Sequence, residues 1–229
     1  RQKAKASLAY GMALTLRQWF RDKGKTAALL LQPFIIGFLF SQIFSKTSSL
    51  WTVSFAIILC ANWFALSLSI REIVQEKGIL RGEFRKGAKV LPYLAGKLAL
   101  PTLAAFLQTA IVYAFVAYRI PVHPSPALLA VAFACTVAPA VAMGILVSSL
   151  SRNSGQANAF LPLLIIPQVA LAGALVPFDQ MQQVGKWLST VVWSRYNQST
   201  LLNRLLERPD DVWNKLSALI LGLIFCIIT

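Results

Sequence analysis

The chain has 229 residues, of which 57% are hydrophobic and 13% are charged, and its mean hydropathy is +0.63. The charged share is about half that of a typical soluble domain, and a soluble fold of this size could not bury so many apolar side chains. Lys and Arg number 22 against 8 Asp and Glu. In a membrane protein such an excess is typical of loops that face the cytoplasm and anionic lipid, so we expect no nucleic-acid partner.

Six apolar runs are long enough to cross a bilayer as helices, which requires about 20 residues. A chain in lipid must pair its backbone polar groups internally, and these runs lack the alternation of a membrane β-barrel strand. The sequence therefore predicts an all-α membrane protein with six transmembrane helices. The predicted helices are 27–45, 51–70, 90–118, 127–150, 159–178 and 212–229.

The segment before the first predicted span, residues 1–25, is amphipathic. One helical face collects its large apolar residues Leu8, Met12, Leu16, Trp19 and Phe20. This pattern is typical of a helix in the cytoplasmic headgroup layer, and an ordinary packed helix would also show it. The fragment Gly24-Lys25-Thr26 imitates the end of a P-loop but lacks its first glycine and its preceding strand, so we do not expect this segment to bind ATP.

The most highly charged stretch, residues 71–89, lies between the second and third predicted spans. It contains three acids and six bases, interrupted by the apolar residues Ile73, Ile79, Leu80 and Phe84. A short amphipathic helix would use such residues to dock on the bilayer or on a partner, whereas a solvated loop would not need them.

Few polar side chains lie within the predicted spans, and the main ones are Asn62, Lys97, Gln108 and Gln168. Lys97 is near enough to a span end for its ammonium group to reach the headgroup layer. No Asp or Glu lies near a span centre, where coupled secondary carriers often have one, so the pattern counts against a carrier. The single histidine and the three scattered cysteines match no metal-binding pattern.

The region before the last predicted span, 179–211, is long and rich in Trp, Leu and Val, which favours external re-entrant helices. The other loops give the orientation: residues 1–26, 71–97 and 151–158 contain 15 of the 22 basic residues. The positive-inside rule therefore predicts cytoplasmic N- and C-termini. Because the chain starts with Arg1 and stops within an apolar run, we expect it to be part of a longer protein.

Two stretches resemble the membrane domain of type-2 ABC exporters, especially the G subfamily and its bacterial relatives. The first, 71–97, has two acids seven residues apart, then a Tyr and a Lys that open the third helix: Glu76, Glu83, Tyr93 and Lys97. The second, 166–203, resembles the fifth helix and the external re-entrant helices, with Trp187-Leu188-Ser189 and Arg195-Tyr196 in matching order. The chain is most similar to bacterial proteins that fuse a forkhead-associated domain, an ABC ATPase and this membrane domain.

This resemblance implies an N-terminal connecting helix (1–25), a six-helix domain (26–229), a coupling loop (71–89) and three functional sites. The loop residues that would rest on the ATPase are Val74, Glu76, Ile79, Leu80, Glu83 and Phe84. The residues that would line a substrate cavity between two subunits are Asn62, Phe64, Ile166 and Val169. A hydrophobic plug above that cavity would consist of Ala174 and Leu175.

The resemblance also implies a function: the permease domain of an ATP-driven exporter in a bacterial inner membrane. Such a domain would move a lipid-like or amphipathic substrate outward by alternating access, as a pair of identical subunits in contact with lipid. ATP and Mg²⁺ would bind to an ABC ATPase domain, fused N-terminally or associated, and not to this segment, for which we expect no catalytic or metal site. The alternatives are a polysaccharide or glycoconjugate exporter of the same superfamily, a secondary carrier, and a membrane scaffold.

Overall fold

The computed structural model describes residues 8–21, 23–85, 90–119, 126–173, 176, 180–190 and 192–198. Every regular element within these ranges is helical, which confirms the all-α prediction. The helices are α1 (Leu8–Arg21), α2 (Lys23–Ile43), α3 (Leu50–Ser69), a 3-10 turn (Val74–Glu76), α4 (Lys77–Arg85), α5 (Val90–Ala117), α6 (Pro126–Leu150), α7 (Ser154–Ala170), α8 (Gln183–Ser189) and α9 (Trp193–Tyr196).

Three stretches among the described residues are long and apolar enough to cross a membrane: Leu50–Glu76, Val90–Ala117 and Leu129–Leu150. A shorter apolar helix covers Leu29–Ile43. The count of six spans stays a prediction, because the last predicted span, 212–229, lies outside the described residues.

Helix α7 differs from the predicted span 159–178 at both ends. It begins at Ser154, because the Oδ1 atom of Asn153 accepts a 2.8 Å hydrogen bond from the backbone N–H of Gln156 and so caps the first turn. It ends at Ala170, and Gly173 then adopts a left-handed conformation with φ of 85°.

Helix α3 lies at the centre of the bundle and packs against α5, α6 and α7. Its buried residues, including Phe64 and Leu68, form the main core cluster with residues of α5 and α6 such as Val112 and Val141. Helices α3 and α6 approach closely at Gly144, where an added Cβ would lie 2.0 Å from the Oγ atom of Ser69. A side chain at position 144 would therefore force the two central helices apart.

Two prolines within helices are compensated by side chains from other elements. A proline leaves the carbonyl four residues earlier without its N–H partner. Pro33 does this to Leu29, whose carbonyl accepts a 2.6 Å bond from Nε2 of Gln108 on α5. Pro139 does it to Cys135, whose carbonyl lies 3.4 Å from Nδ2 of Asn197. Because lipid supplies no partners for such carbonyls, these contacts join separate elements where the helices are interrupted.

The amphipathic N-terminal segment forms α1, which packs against α5 and α2. Its predicted apolar face divides: Trp19 turns toward the bundle, whereas 72% of Phe20 is exposed. The hydroxyl of Thr26 donates to the backbone carbonyl of Trp19 and ties α1 to α2. The fragment that imitates a P-loop thus lies within the start of α2 and connects two helices.

Candidate functional site

A buried group of charged and aromatic residues lies where α3 ends and α5 begins. We call it the ionic cluster, and it consists of Trp19, Glu72, Glu76, Tyr93 and Lys97. We call this end of the bundle the basic end, because the charged stretch 71–85 follows α3 there. The side chains of both glutamates and of the lysine are almost completely inaccessible, with 0% exposure for Glu72 and Lys97 and 1% for Glu76.

The ionic cluster gives each of its four carboxylate oxygens a partner. The Nζ atom of Lys97 lies 3.1 Å from Oε2 of Glu72 and 2.8 Å from Oε1 of Glu76. The hydroxyl of Tyr93 donates to Oε2 of Glu76 over 2.6 Å. The indole N–H of Trp19 donates to Oε1 of Glu72 over 3.0 Å. Buried charges persist when they are paired and hydrogen-bonded in this way.

The spacing of these residues along the chain explains why they meet. Tyr93 and Lys97 are four residues apart on α5, so their side chains lie on one face of that helix. Glu72 and Glu76 are also four residues apart, on the turn and 3-10 segment that follow α3. The two pairs face each other, and Trp19 adds α1 to the same cluster.

The start of the charged stretch is also attached to α6 and α7. The Oγ atom of Ser148 accepts hydrogen bonds of 3.0 Å from the backbone N–H groups of both Ile73 and Val74. The Nζ atom of Lys77 donates to the carbonyl of Ser151 over 2.6 Å. Val74 packs with Ala157 of α7 in a small apolar cluster. Residues 70–77 are thus fixed to four other helices.

Helix α4 continues this segment and presents an open face. Gly78, Gly82 and Arg85 are exposed and recur at the spacing of one helical face. An added Cβ at either glycine would meet no described atom within 4 Å. Leu80, on another side of the helix, is only 7% exposed. Helix α4 is therefore anchored on one side and free on another.

A second polar group surrounds residues 192–198, which we call the re-entrant segment because they lie in the region predicted to be re-entrant. The indole N–H of Trp193 donates to Oδ1 of Asn62 over 2.7 Å, and Nδ2 of Asn62 donates to Oγ of Ser194 over 2.9 Å. The backbone N–H of Ser194 donates to Oε1 of Gln168 over 3.2 Å. The Nε2 atom of Gln198 donates to the carbonyl of Trp51 over 2.9 Å. The segment thus lies against α3 and α7, and along α3 it extends from the middle, at Asn62, to the start, at Trp51, away from the basic end.

The residues predicted to line a substrate cavity occupy different environments. Asn62 and Phe64 are completely buried, and Phe64 belongs to the main core cluster. Val169 packs partly buried against that cluster, whereas Ile166 on α7 is 62% exposed. The described chain does not bring these four side chains to one shared surface, and their role stays a prediction.

The two predicted plug residues, Ala174 and Leu175, lie outside the described residues. Gly173 is the last described residue before them.

The residues predicted to contact an ATPase fall into two groups. The side chains of Val74, Glu76 and Leu80 are described, and all three are buried within this chain. The other three positions, Ile79, Glu83 and Phe84, lie on α4, and their side chains fall outside what the structure describes. In this arrangement Glu76 holds the base of the segment and does not offer its carboxylate to a partner surface.

Two features of the ionic cluster differ from the sequence analysis. The prediction that Lys97 reaches the headgroup layer is wrong, because its side chain is 0% exposed and pairs with two carboxylates. Glu72 was not identified, although its spacing of four residues from Glu76 was a usable signal. Trp19 and Ser148 were also missed as polar partners, and no sequence pattern marks either contact.

Comparison with known proteins shows the family to which the chain belongs. Residues 9–206 match the family described as ABC-2 type transporter. Over 147 residues the chain is 26% identical to the ABC transporter ATP-binding/permease protein Rv1747 of Mycobacterium tuberculosis (strain ATCC 25618 / H37Rv). That alignment covers 58% of this chain and 16% of the mycobacterial protein, so the chain corresponds to a small part of that relative. With most of its length matched to the family, this chain belongs to the ABC-2 type transporter membrane domains.

Proposed function

We propose that the chain is the permease domain of an ATP-driven exporter, and that residues 70–85 couple it to an ABC ATPase. The observation that carries this proposal is the contrast within that segment. The ionic cluster and Ser148 fix the first residues of the segment, whereas α4 presents an open face at Gly78 and Gly82.

A coupling element must be firm toward its own helices and accessible to its partner. Residues 72–76 contact α1, α5 and α6 through charged and backbone hydrogen bonds, so a displacement of α4 would be passed to all three. The glycines of α4 allow another backbone to approach closely. Binding of ATP could then bias the transporter only if the contact with α4 differs between its two conformations.

The remaining parts of the proposal follow from the same assignment. ATP and Mg²⁺ would be held by the ATPase, at the basic end, which would face the cytoplasm of a bacterial inner membrane. A second copy of the domain would complete the transport pathway. We propose a lipid-like or amphipathic substrate, because the exposed side of α7 is apolar. On that side Leu163 is 63% exposed and Ile166 is 62% exposed.

The open face of α4 permits a direct test in the full-length protein. The variant Gly82→Trp adds bulk where no described atom lies within 4 Å, so the domain itself has no reason to unfold. The assay uses vesicles of phosphatidylethanolamine and phosphatidylglycerol. We expect the variant to lower the rates of ATP hydrolysis and of ATP-dependent flipping of fluorescent phosphatidylethanolamine at least about tenfold. A tenfold lower rate corresponds to an activation barrier that is higher by about 1.4 kcal/mol.

Two controls separate this effect from a general defect. Gly82→Ala adds one methyl group, favours the helix and should keep both activities. Thr52→Trp places the same bulk on an exposed position of α3 at the opposite end and should also be tolerated. If Gly82→Trp hydrolyses ATP and flips lipid within about twofold of the parent, the open face of α4 is not the docking surface.

A further inference from the structure

The re-entrant segment is more deeply buried than its length would suggest. The exposed fraction is 7% for Trp193, 1% for Ser194, 3% for Asn197 and 0% for Gln198. Residues 193–198 are helical: α9 covers Trp193–Tyr196, and a π-helical turn follows at 197–198. The segment is therefore a short helical stretch enclosed by longer helices.

The position of Asn62 shows how far this segment enters the bundle. Asn62 lies twelve residues after Leu50, the first residue of α3, which is about 18 Å along a helix axis. A bilayer core is about 30 Å thick, so Trp193 and Ser194 meet α3 near its middle. A helix that begins at such depth leaves its first N–H groups without partners in the helix, which is tolerated only where protein buries them or where they line a water-filled cavity.

The bonds between Asn62 and the segment are neutral, unlike those of the ionic cluster, whereas Arg195 of the segment donates to Oγ of Ser189 on α8 over 2.9 Å. Asn62 uses both ends of its amide: Nδ2 donates to the Ile58 carbonyl over 3.0 Å and to Ser194, and Oδ1 accepts from Trp193. Neutral hydrogen bonds can be exchanged for bonds to water without moving a charge. The contact between Asn62 and the segment could therefore open at a smaller cost than the ionic cluster could separate.

One buried atom indicates that this closed arrangement is incompletely satisfied. Oε1 of Gln198 has no hydrogen-bond partner among the described residues, although the side chain is 0% exposed. The contact of Asn197 with the Cys135 carbonyl is also long, at 3.4 Å. A buried acceptor without a partner lowers stability, and contact with water would supply one.

We propose that Asn62 is the positioning residue of a latch that holds the re-entrant segment in the bundle, and that this latch opens during transport. The inference rests on the proposed function, because it needs a cycle driven by ATP. While Asn62 is bonded to Trp193 and Ser194, its amide is not free to contact a substrate. Asn62 can therefore contact a substrate only after the segment has been released.

Chemical labelling of position 194 tests the latch in the full-length protein. In a variant with Cys60, Cys135 and Cys226 replaced by Ala, Ser194→Cys introduces a thiol of nearly the same size. A membrane-impermeant maleimide is applied at the external side, with and without trapping by ATP and vanadate. We expect the labelling rate to rise at least about tenfold in one of the two states, corresponding to a tenfold change in the open population.

A matched control is Thr136→Cys in the same background. Thr136 is 1% exposed and bonds within α6 to the carbonyl of Ala132, so its protection should be the same in both states. If vanadate inhibits ATP hydrolysis but the labelling of Ser194→Cys does not change, the latch is wrong and the proposed function is unaffected. If the protein shows no ATP hydrolysis that vanadate inhibits, the proposed function itself fails.

A second variant tests whether the bond to Asn62 keeps the segment closed. Trp193→Phe retains an aromatic ring and removes only the donor to Oδ1 of Asn62. Without nucleotide it should speed the labelling of Ser194→Cys at least about threefold, while Trp187→Phe on the exposed surface of α8 should not. Equal labelling in both variants, at an unchanged unfolding temperature, would overturn the role of Asn62.

Discussion

Lys97 is a full positive charge that water does not reach, and its environment compensates for the loss of hydration. Removing an ion from water costs several kcal/mol even after the protein relaxes. Two carboxylates within 3.1 Å offset this cost, and Tyr93 and Trp19 satisfy their remaining oxygens. The members of the ionic cluster stabilise one another. If one member is removed, the remaining buried charges lose the partner that offsets the free-energy cost of their burial.

The variant Lys97→Met measures that dependence. It keeps most of the side-chain volume but leaves Glu72 and Glu76 buried beside each other without a cation, which should destabilise the domain by about 3–5 kcal/mol. The measurement is unfolding in detergent, followed by tryptophan fluorescence. Lys46→Met, on an exposed residue, should change stability by less than about 0.5 kcal/mol.

Neutralising the acids provides the reverse test. The triple variant Lys97→Met, Glu72→Gln, Glu76→Gln carries no buried charge and should recover most of the stability lost in Lys97→Met. A triple variant as unstable as the single one would show that Lys97 acts through its packing and not through charge.

The ionic cluster also shows how far the residues could be read from the sequence. Glu76, Tyr93 and Lys97 stand out because the charged stretch resembles a known family pattern. Their mutual contacts could not be predicted, since they depend on the turn at residues 70–76 that returns Glu72 and Glu76 toward α5. Hydropathy alone assigns Lys97 to the headgroup layer because it takes no account of partners from other helices.

At the level of helices, apolar runs locate the elements but not the contacts between them. The Gln108 side chain illustrates the difference: a polar residue in a span is easily noted, but its partner is the Leu29 carbonyl on another helix. That carbonyl is available only because Pro33 follows four residues later. Proline positions are visible in the sequence, yet the facing side chain depends on how α2 packs on α5.

A double-mutant cycle tests this pairing of α2 with α5. In the parent, Gln108→Leu removes the hydrogen-bond donor to the Leu29 carbonyl and should lower the free energy of unfolding. In a Pro33→Ala background the restored N–H of residue 33 pairs with that carbonyl, so the same change should cost about 1 kcal/mol less. Unfolding of the four proteins in detergent gives the coupling energy. Additive effects of the two changes would mean that Gln108 does not compensate for the proline.

For the whole molecule, the two ends of the bundle are held by different chemistry. Charged groups join α1, α5 and the segment after α3 at the basic end, whereas neutral amides and hydroxyls of α3 and α7 hold the re-entrant segment away from that end. The sequence predicts the all-helical class and the charge asymmetry. It could not place a cavity or plug, because such surfaces depend on how the helices pack, and Phe64 is completely buried whereas Ile166 is 62% exposed.

The orientation predicted from charge can be tested by labelling two exposed positions, Thr47 and Arg85. In a variant without native cysteines, a membrane-impermeant maleimide added to intact cells should label Thr47→Cys at once. Arg85→Cys should react only after the cells are permeabilised, because the basic end would face the cytoplasm. The opposite pattern of labelling would place α4 out of reach of any cytoplasmic ATPase.

The position of the ionic cluster just after α3 would make the domain sensitive to bilayer thickness. Helix α3, Leu50–Ser69, is about 30 Å long, close to the thickness of a typical hydrocarbon core, and Glu72 lies in the turn that follows it. In such a bilayer the carboxylates sit at one boundary when Leu50 sits at the other. Lipids with longer acyl chains would draw the cluster into hydrocarbon, and lipids with shorter chains would leave it in the hydrated interface. Acyl-chain length thereby becomes a physical control on how firmly α4 is anchored.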